Sequence, residues 1–269
     1  MLNKLNRRAL QASIAATAFL WAINLSKPVS AQVEMHSSAA AVSAAVSNQP
    51  IRRRESSGTV VILPGSYNPD NTYPALVLLP WTGGRSVAIF DDYLAAQYEA
   101  RTTNPFIVIL PNVSSSSAAY ASSGAWNSTI RRYENLVTRE LSDLTQKYSI
   151  DESRIAVGGP SLGGDLSWAL SLRNPDLFRG AIVIGSQSTY RDAASMPQLA
   201  ANDSRFFMII GQQDIRRRVS GMRNAVQQLA NHGVDHRFEM VPNTNHRNII
   251  NRYAPGAFTQ SIDYVLFDE

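Results

Sequence analysis

Residues 154–165 read Arg-Ile-Ala-Val-Gly-Gly-Pro-Ser-Leu-Gly-Gly-Asp. A short apolar run (Ile155, Ala156, Val157) enters two glycines, one serine follows a proline, and two more glycines lead into a segment that reads as helix. This is the pattern of a strand, a sharp turn and a helix, with Ser161 at the turn. A serine on a strained strand-to-helix turn needs neighbours without Cβ atoms, so that its oxygen projects and the helix packs close behind; Gly159 and Gly163 meet that need. A pentapeptide of this kind also occurs by chance, so the rest of the chain has to supply its context.

Outward from this stretch, continuous apolar runs predict strands over 59–63, 75–79, 106–110, 154–157, 181–184, 206–210 and 237–241. Unbroken apolar runs, rather than alternation, suit strands covered by helices on both faces. Val137, Leu141, Leu144 and Tyr148 recur at helical spacing, as do Val219, Met222, Val226 and Leu229 ahead of Gly233. Phe90 to Tyr98 and Leu166 to Leu172 are further helix candidates. Strand and helix in alternation, without internal repeats, predict one α/β domain on a mostly parallel sheet, over residues 56–269. Such sheets carry their sites at the carboxyl ends of strands.

The polar groups needed for acyl transfer fall at those ends. Ser161 follows one strand, Gly211-Gln-Gln-Asp214 follows another, and Pro242-Asn-Thr-Asn-His246 follows a third. A serine hydroxyl is a weak nucleophile at neutral pH, so an imidazole must take its proton and return it to the leaving group, and a carboxylate must orient that imidazole. The reading is Ser161 as nucleophile, His246 as base and acid, and Asp214 as orienting carboxylate, with Asp192 as an alternative acid. His36, His232 and His236 lie in a spacer or beside a turn and offer no such placement. The order serine, aspartate, histidine is that of an α/β-hydrolase sheet. An oxyanion hole would use the Leu162 N–H and a donor from Pro80-Trp-Thr-Gly-Gly84, expected to be Thr82, with Trp81 as a further candidate.

Composition narrows the partners. The 269 residues contain no cysteine, which excludes disulfides, thiolate metal sites and a cysteine nucleophile. The formal net charge is +4, but residues 1–31 hold four basic residues (Lys4, Arg7, Arg8, Lys27) and no acidic ones. The remainder is balanced, which removes the electrostatic case for a nucleic-acid partner or a membrane surface. Residues 1–31 themselves show a basic head, an apolar run from Ala9 to Leu25 and a small-x-small end at Val29-Ser-Ala31, the pattern of a secretory signal peptide. A retained anchor is the alternative, though the run is short and interrupted by Gln11, Ser13 and Thr17. Arg7-Arg8 leaves open whether export follows the general or the twin-arginine route. Residues 32–55 are rich in Ala and Ser, end in three arginines, and read as a disordered spacer.

With these residues in hand, 59–246 resembles an α/β-hydrolase of the secreted esterase branch. It is similar to feruloyl esterases, polyhydroxyalkanoate depolymerases and esterase D-like enzymes. The likeness is carried by Leu63-Pro-Gly-Ser-Tyr67, by Tyr73-Pro-Ala-Leu-Val-Leu-Leu79 with Gly83-Gly84, by Tyr148 to Gly158 leading to the elbow, by Gly211-x-x-Asp214 and by His246. It implies carboxylic-ester hydrolysis through an acyl-serine, with the triad roles as assigned. Two departures stand out: Pro80-Trp81 occupies the place where the family has His-Gly, and Pro160 precedes the serine.

For the substrate, the loop 112–126, with four consecutive serines, Tyr120 and Trp126, is expected to overhang the site, and Trp81 to line it. Arg216-Arg-Arg218 either meets an anionic substrate or forms a solvated face. No metal or nucleotide motif is present, so no cofactor is expected, and the substrate is a small or polymeric ester. Acyl transfer to another alcohol, or a non-catalytic binding domain on the same fold, are the competing readings.

Overall fold

The computed structural model describes residues 49–249 and 256–267. The expected signal peptide, and the expected spacer up to residue 48, lie outside the described residues. The described residues build one eight-stranded sheet in the order β1-β2-β4-β3-β5-β6-β7-β8. Strand β1 (Ile51–Arg54) pairs antiparallel with β2 (Val60–Leu63), and β2 pairs antiparallel with β4 (Ile107–Leu110). From β4 onward every pairing is parallel, through β3 (Tyr73–Leu78), β5 (Ile150–Pro160), β6 (Gly180–Ile184), β7 (Arg205–Gly211) and β8 (Asp235–Val241).

The continuous apolar runs find their reason in the layers. Successive side chains of a strand point to opposite faces, so a run such as Val60 to Leu63 feeds both. Val61 and Leu63 join Val77, Val157, Val183 and Met208 on one face. There they pack under α3 (Ser123–Thr145), α4 (Leu162–Arg173), α5 (Met196–Ala201) and α6 (Arg216–Asn231). Val60 and Ile62 join Leu76, Ile182 and Phe207 on the other. That face is covered by α1 (Ser86–Ile89), a π-helical turn (Phe90–Leu94), α2 (Ala95–Ala100) and α7 (Gly256–Phe267). Trp168 of α4 is fully buried, and its indole N–H donates to the Tyr190 carbonyl at 3.0 Å, so the largest fully buried side chain leaves no polar atom unpaired.

Two expectations from the sequence are corrected. Ile51–Arg54, read as the end of the spacer, is an edge strand: pairing with β2 supplies the order that its arginine-rich composition does not announce, and Arg52, Arg53 and Arg54 are exposed, charges that blunt a sheet edge. The stretch 112–126 is not one open loop. Ser116 caps a short 3-10 turn (Ser117–Tyr120), and α3 begins at Ser123 after the Ser122 hydroxyl accepts from the Ala125 N–H at 3.1 Å.

Candidate active site

Ser161 sits between β5 and α4 with φ 55° and ψ −116°, a conformation that side chains rarely adopt and that costs on the order of 1–3 kcal/mol. The surroundings hold it there. Its N–H donates to the Ile184 carbonyl at 2.8 Å, and its carbonyl accepts from Asp165 at 2.9 Å. A Cβ on Gly159 or on Gly163 would lie 2.2 or 2.1 Å from the Leu79 carbonyl oxygen. The end of β3 therefore runs directly against the elbow, and only glycine leaves room for it. Pro160 closes β5 opposite Ile184, where a fixed φ suits a strand end.

Asp214 and His246 come from the ends of β7 and β8, laced together by hydrogen bonds from Gln212 N–H to the Val241 carbonyl (2.9 Å) and from Gln213 N–H to the Thr244 carbonyl (2.8 Å). His246 Nδ1 lies 2.9 Å from Asp214 Oδ2, and His246 Nε2 lies 3.1 Å from Ser161 Oγ. The Asp214 side chain is wholly buried, whereas that of His246 is 33% exposed. The other carboxylate oxygen accepts from the Ile215 N–H at 2.7 Å and from the Arg218 guanidinium at 3.3 Å. Burial pushes the Asp214 carboxyl up, but His246, Ile215 and Arg218 together outweigh it and hold the group below the usual carboxylate range. An ionised carboxylate only accepts, so Nδ1 carries the imidazole proton and Nε2 is left to accept from the Ser161 hydroxyl. Asp192, the alternative acid, instead accepts from the Ala194 N–H at 3.2 Å and starts the turn into α5.

The loop after β3 faces Ser161. Gly83 N–H donates to Ser115 Oγ at 3.0 Å, Gly84 N–H donates to the Trp81 carbonyl at 2.9 Å, and Ser115 Oγ–H donates to that carbonyl at 2.6 Å. Two of the loop's N–H groups are thus engaged, while Thr82 lines the cleft beside Ser161. Leu162 is the first residue of α4, where a helix leaves N–H groups without intrahelical partners.

Trp81, Thr82, Tyr93, Arg218 and Arg247 complete, with Ser161 and His246, a cleft of about 380 Å³. Trp81 meets Tyr93 edge to face, ring centres 6.4 Å apart. Tyr120 and Trp126, expected to line the site, do not line this cleft. They stack on each other at 5.5 Å, and the Tyr120 hydroxyl donates to Asp165 Oδ2 at 2.6 Å. Two residues that the sequence reading did not single out line the cleft, Tyr93 from the π-helical turn and Arg247 next to the histidine, and a third, Asp165, is buried in the first turn of α4. Asp165 is buried and also accepts from the N–H groups of Gln187 (2.9 Å) and Ser188 (2.7 Å); its burial pushes the carboxyl up to about 6, despite these donors. Its place directly after Gly163-Gly164 was the one available signal.

Among the described residues no cluster of metal-ligating side chains occurs, and no helix is long and apolar enough to cross a membrane.

The fold recurs in solved structures. A ferulic acid esterase superposes with a TM-score of 0.61 at 16% identity, over 81% of this chain and 96% of that one. The feruloyl esterase module from Clostridium thermocellum, complexed with sinapinate, gives 0.58 at 16% identity, over 81% and 87%. An S-formylglutathione hydrolase from Staphylococcus aureus gives 0.57 at 19% identity, over 81% and 95%. A comparison with curated protein sequences finds no match. The family model described as "Putative esterase" matches residues 54–248, from the last residue of β1 to just beyond His246, and on that match the chain belongs to this esterase family, a carboxylic-ester hydrolase on the α/β-hydrolase fold.

Proposed function

We propose that the protein is an exported serine hydrolase that cleaves carboxylic esters through an acyl-serine intermediate. The observation that carries this reading is the unbroken chain from Asp214 through His246 to Ser161, at 2.9 and 3.1 Å, on a backbone held in a strained elbow. In the first half-reaction Ser161 Oγ attacks the ester carbonyl carbon while His246 Nε2 takes its proton. The C–O bond to the alcohol then breaks, and the same proton leaves with the alcohol. In the second, water attacks the acyl carbon, gives one proton to Nε2, and the carboxylic acid departs as Ser161 recovers that proton.

The charge developing on the carbonyl oxygen in both steps is met by the Leu162 and Thr82 N–H groups. The Trp81 N–H, in the same loop as Thr82, is a further candidate donor, and the Trp81 ring lines the cleft. Asp214 stays ionised throughout and stabilises the imidazolium. Export is supported by the signal-like residues 1–31, and N-terminal sequencing of secreted material should begin at Gln32; an intact N-terminus on cell-associated protein would overturn it.

Replacing Ser161 with Ala tests the chemistry. It should abolish covalent labelling by a fluorophosphonate and reduce kcat/KM on p-nitrophenyl esters by roughly 10³- to 10⁶-fold, with the circular dichroism unchanged. Undiminished turnover by folded Ser161→Ala would refute the mechanism.

A further inference from the structure

The lining of the cleft is of two kinds. Trp81 and Tyr93 supply two partly buried aromatic rings in edge-to-face contact, and Arg218 and Arg247 supply two guanidinium groups. None of the lining side chains is acidic. The two arginines are not equivalent. Arg218 is 17% exposed and already donates to Asp214. Arg247 is exposed, directly follows His246, and makes no hydrogen bond or ion pair recorded among the described residues. Asp91 and Asp92 precede Tyr93 in the chain and do not line the cleft, and Asp91 is paired with Arg52.

An exposed guanidinium lining a cleft that also holds aromatic rings is most favourably completed by a carboxylate, which it can meet in a two-pronged hydrogen-bonded pair. An aromatic or apolar portion of the same molecule would pack on the rings. We propose that the substrate class of this site is an ester bearing an anionic group, read by Arg247 with Arg218 behind it, and an aromatic or apolar group that packs on Trp81 and Tyr93. This rests on the serine-esterase reading given above. Arg247 acts here in substrate binding and takes no part in bond breaking.

The experiment compares matched esters in which a carboxylate is replaced by an uncharged group of similar size. On the acyl side, p-nitrophenyl hydrogen glutarate is set against p-nitrophenyl pentanoate; on the alcohol side, 4-acetoxybenzoate is set against 4-acetoxybenzamide. The expected result is a kcat/KM about tenfold higher for the anion in at least one pair, expressed mainly in KM and reduced as salt is raised toward about 0.5 M. The pair that shows it tells which side of the scissile bond the anion lies on. Arg247→Gln should collapse that preference and Arg247→Lys should keep part of it, whereas a merely structural role would change both members of a pair alike. Neutral esters turned over with no anion preference in either pair, or a preference indifferent to Arg247→Gln, would overturn the substrate class while leaving the esterase intact. No turnover of any ester, with no fluorophosphonate label on folded protein, would overturn both.

Discussion

Two buried carboxylates lie near Ser161, and their surroundings drive them in opposite directions. Asp214, at the end of β7, faces an imidazole and a guanidinium, and is held below the usual carboxylate range. Asp165, in the first turn of α4, is met directly only by neutral donors, the Tyr120 hydroxyl and the N–H groups of Gln187 and Ser188, and its carboxyl rises to about 6. Depth alone therefore does not set the charge state of a carboxyl: a cationic or polarisable partner offsets desolvation where neutral donors do so only in part. The difference in partners matches a difference in work. In the proposed mechanism Asp214 orients a group that must become cationic during turnover, while Asp165 ties the 3-10 turn after β4, the helix that follows Ser161 and the loop after β6 into one knot.

The largest break in this comparison should come from Asp214→Asn. Losing the charge while keeping the shape should lower kcat by about 10⁴-fold in steady-state assays, through the wrong imidazole tautomer, with the fold retained. The same exchange at the other carboxyl, Asp165→Asn, should cost activity far less; equal losses would erase the distinction.

The pH dependence of stability sharpens it next. For Asp165 the folded-state value is above the ordinary 3.8, so the folded protein holds this proton more tightly than the unfolded chain does. As pH rises from about 4 to about 6 the unfolded group is already ionised while the folded one is not, and stability falls, by about 1.4 kcal/mol per pH unit at most. Asp214 has the opposite sign: its contribution is present above the ordinary carboxylate value and is lost as pH falls through its lower folded value. Urea denaturation followed from pH 4 to 6 should show the Asp165 slope, and Asp165→Asn should flatten it.

The smallest effect expected is that of Tyr120→Phe. It removes one neutral donor from Asp165, so the Asp165 carboxyl should titrate higher still, and stability at neutral pH should fall by about 1 kcal/mol. Carboxyl-carbon NMR titration of wild type and variant reads the shift directly; a downward shift would show that the hydroxyl is not what stabilises the ionised form.

Much of the fold was legible because burial on both faces writes itself as continuous apolar runs. The seven predicted strands each correspond to one of β2 to β8, and the elbow is recognisable from glycines whose absent side chains admit the end of β3. Strand β1 was hidden because three of its four residues are arginines facing solvent. The start of α3 was hidden because Ser122 and its neighbours resemble loop, although Ser122 caps the helix.

By itself, then, the sequence determined a mostly parallel α/β sheet and the order in which a serine, an aspartate and a histidine reach its carboxyl edge, since hydrophobic patterning and turn chemistry act over neighbouring residues. Only the tertiary structure decided which groups meet. It brought His246 to Asp214 rather than Asp192, turned Tyr120 and Trp126 away from the cleft and toward Asp165 and each other, and placed Tyr93 and Arg247 beside Ser161. Those choices depend on how loops from distant strands pack at one edge of the sheet, and contacts between distant segments leave no periodic trace along the chain.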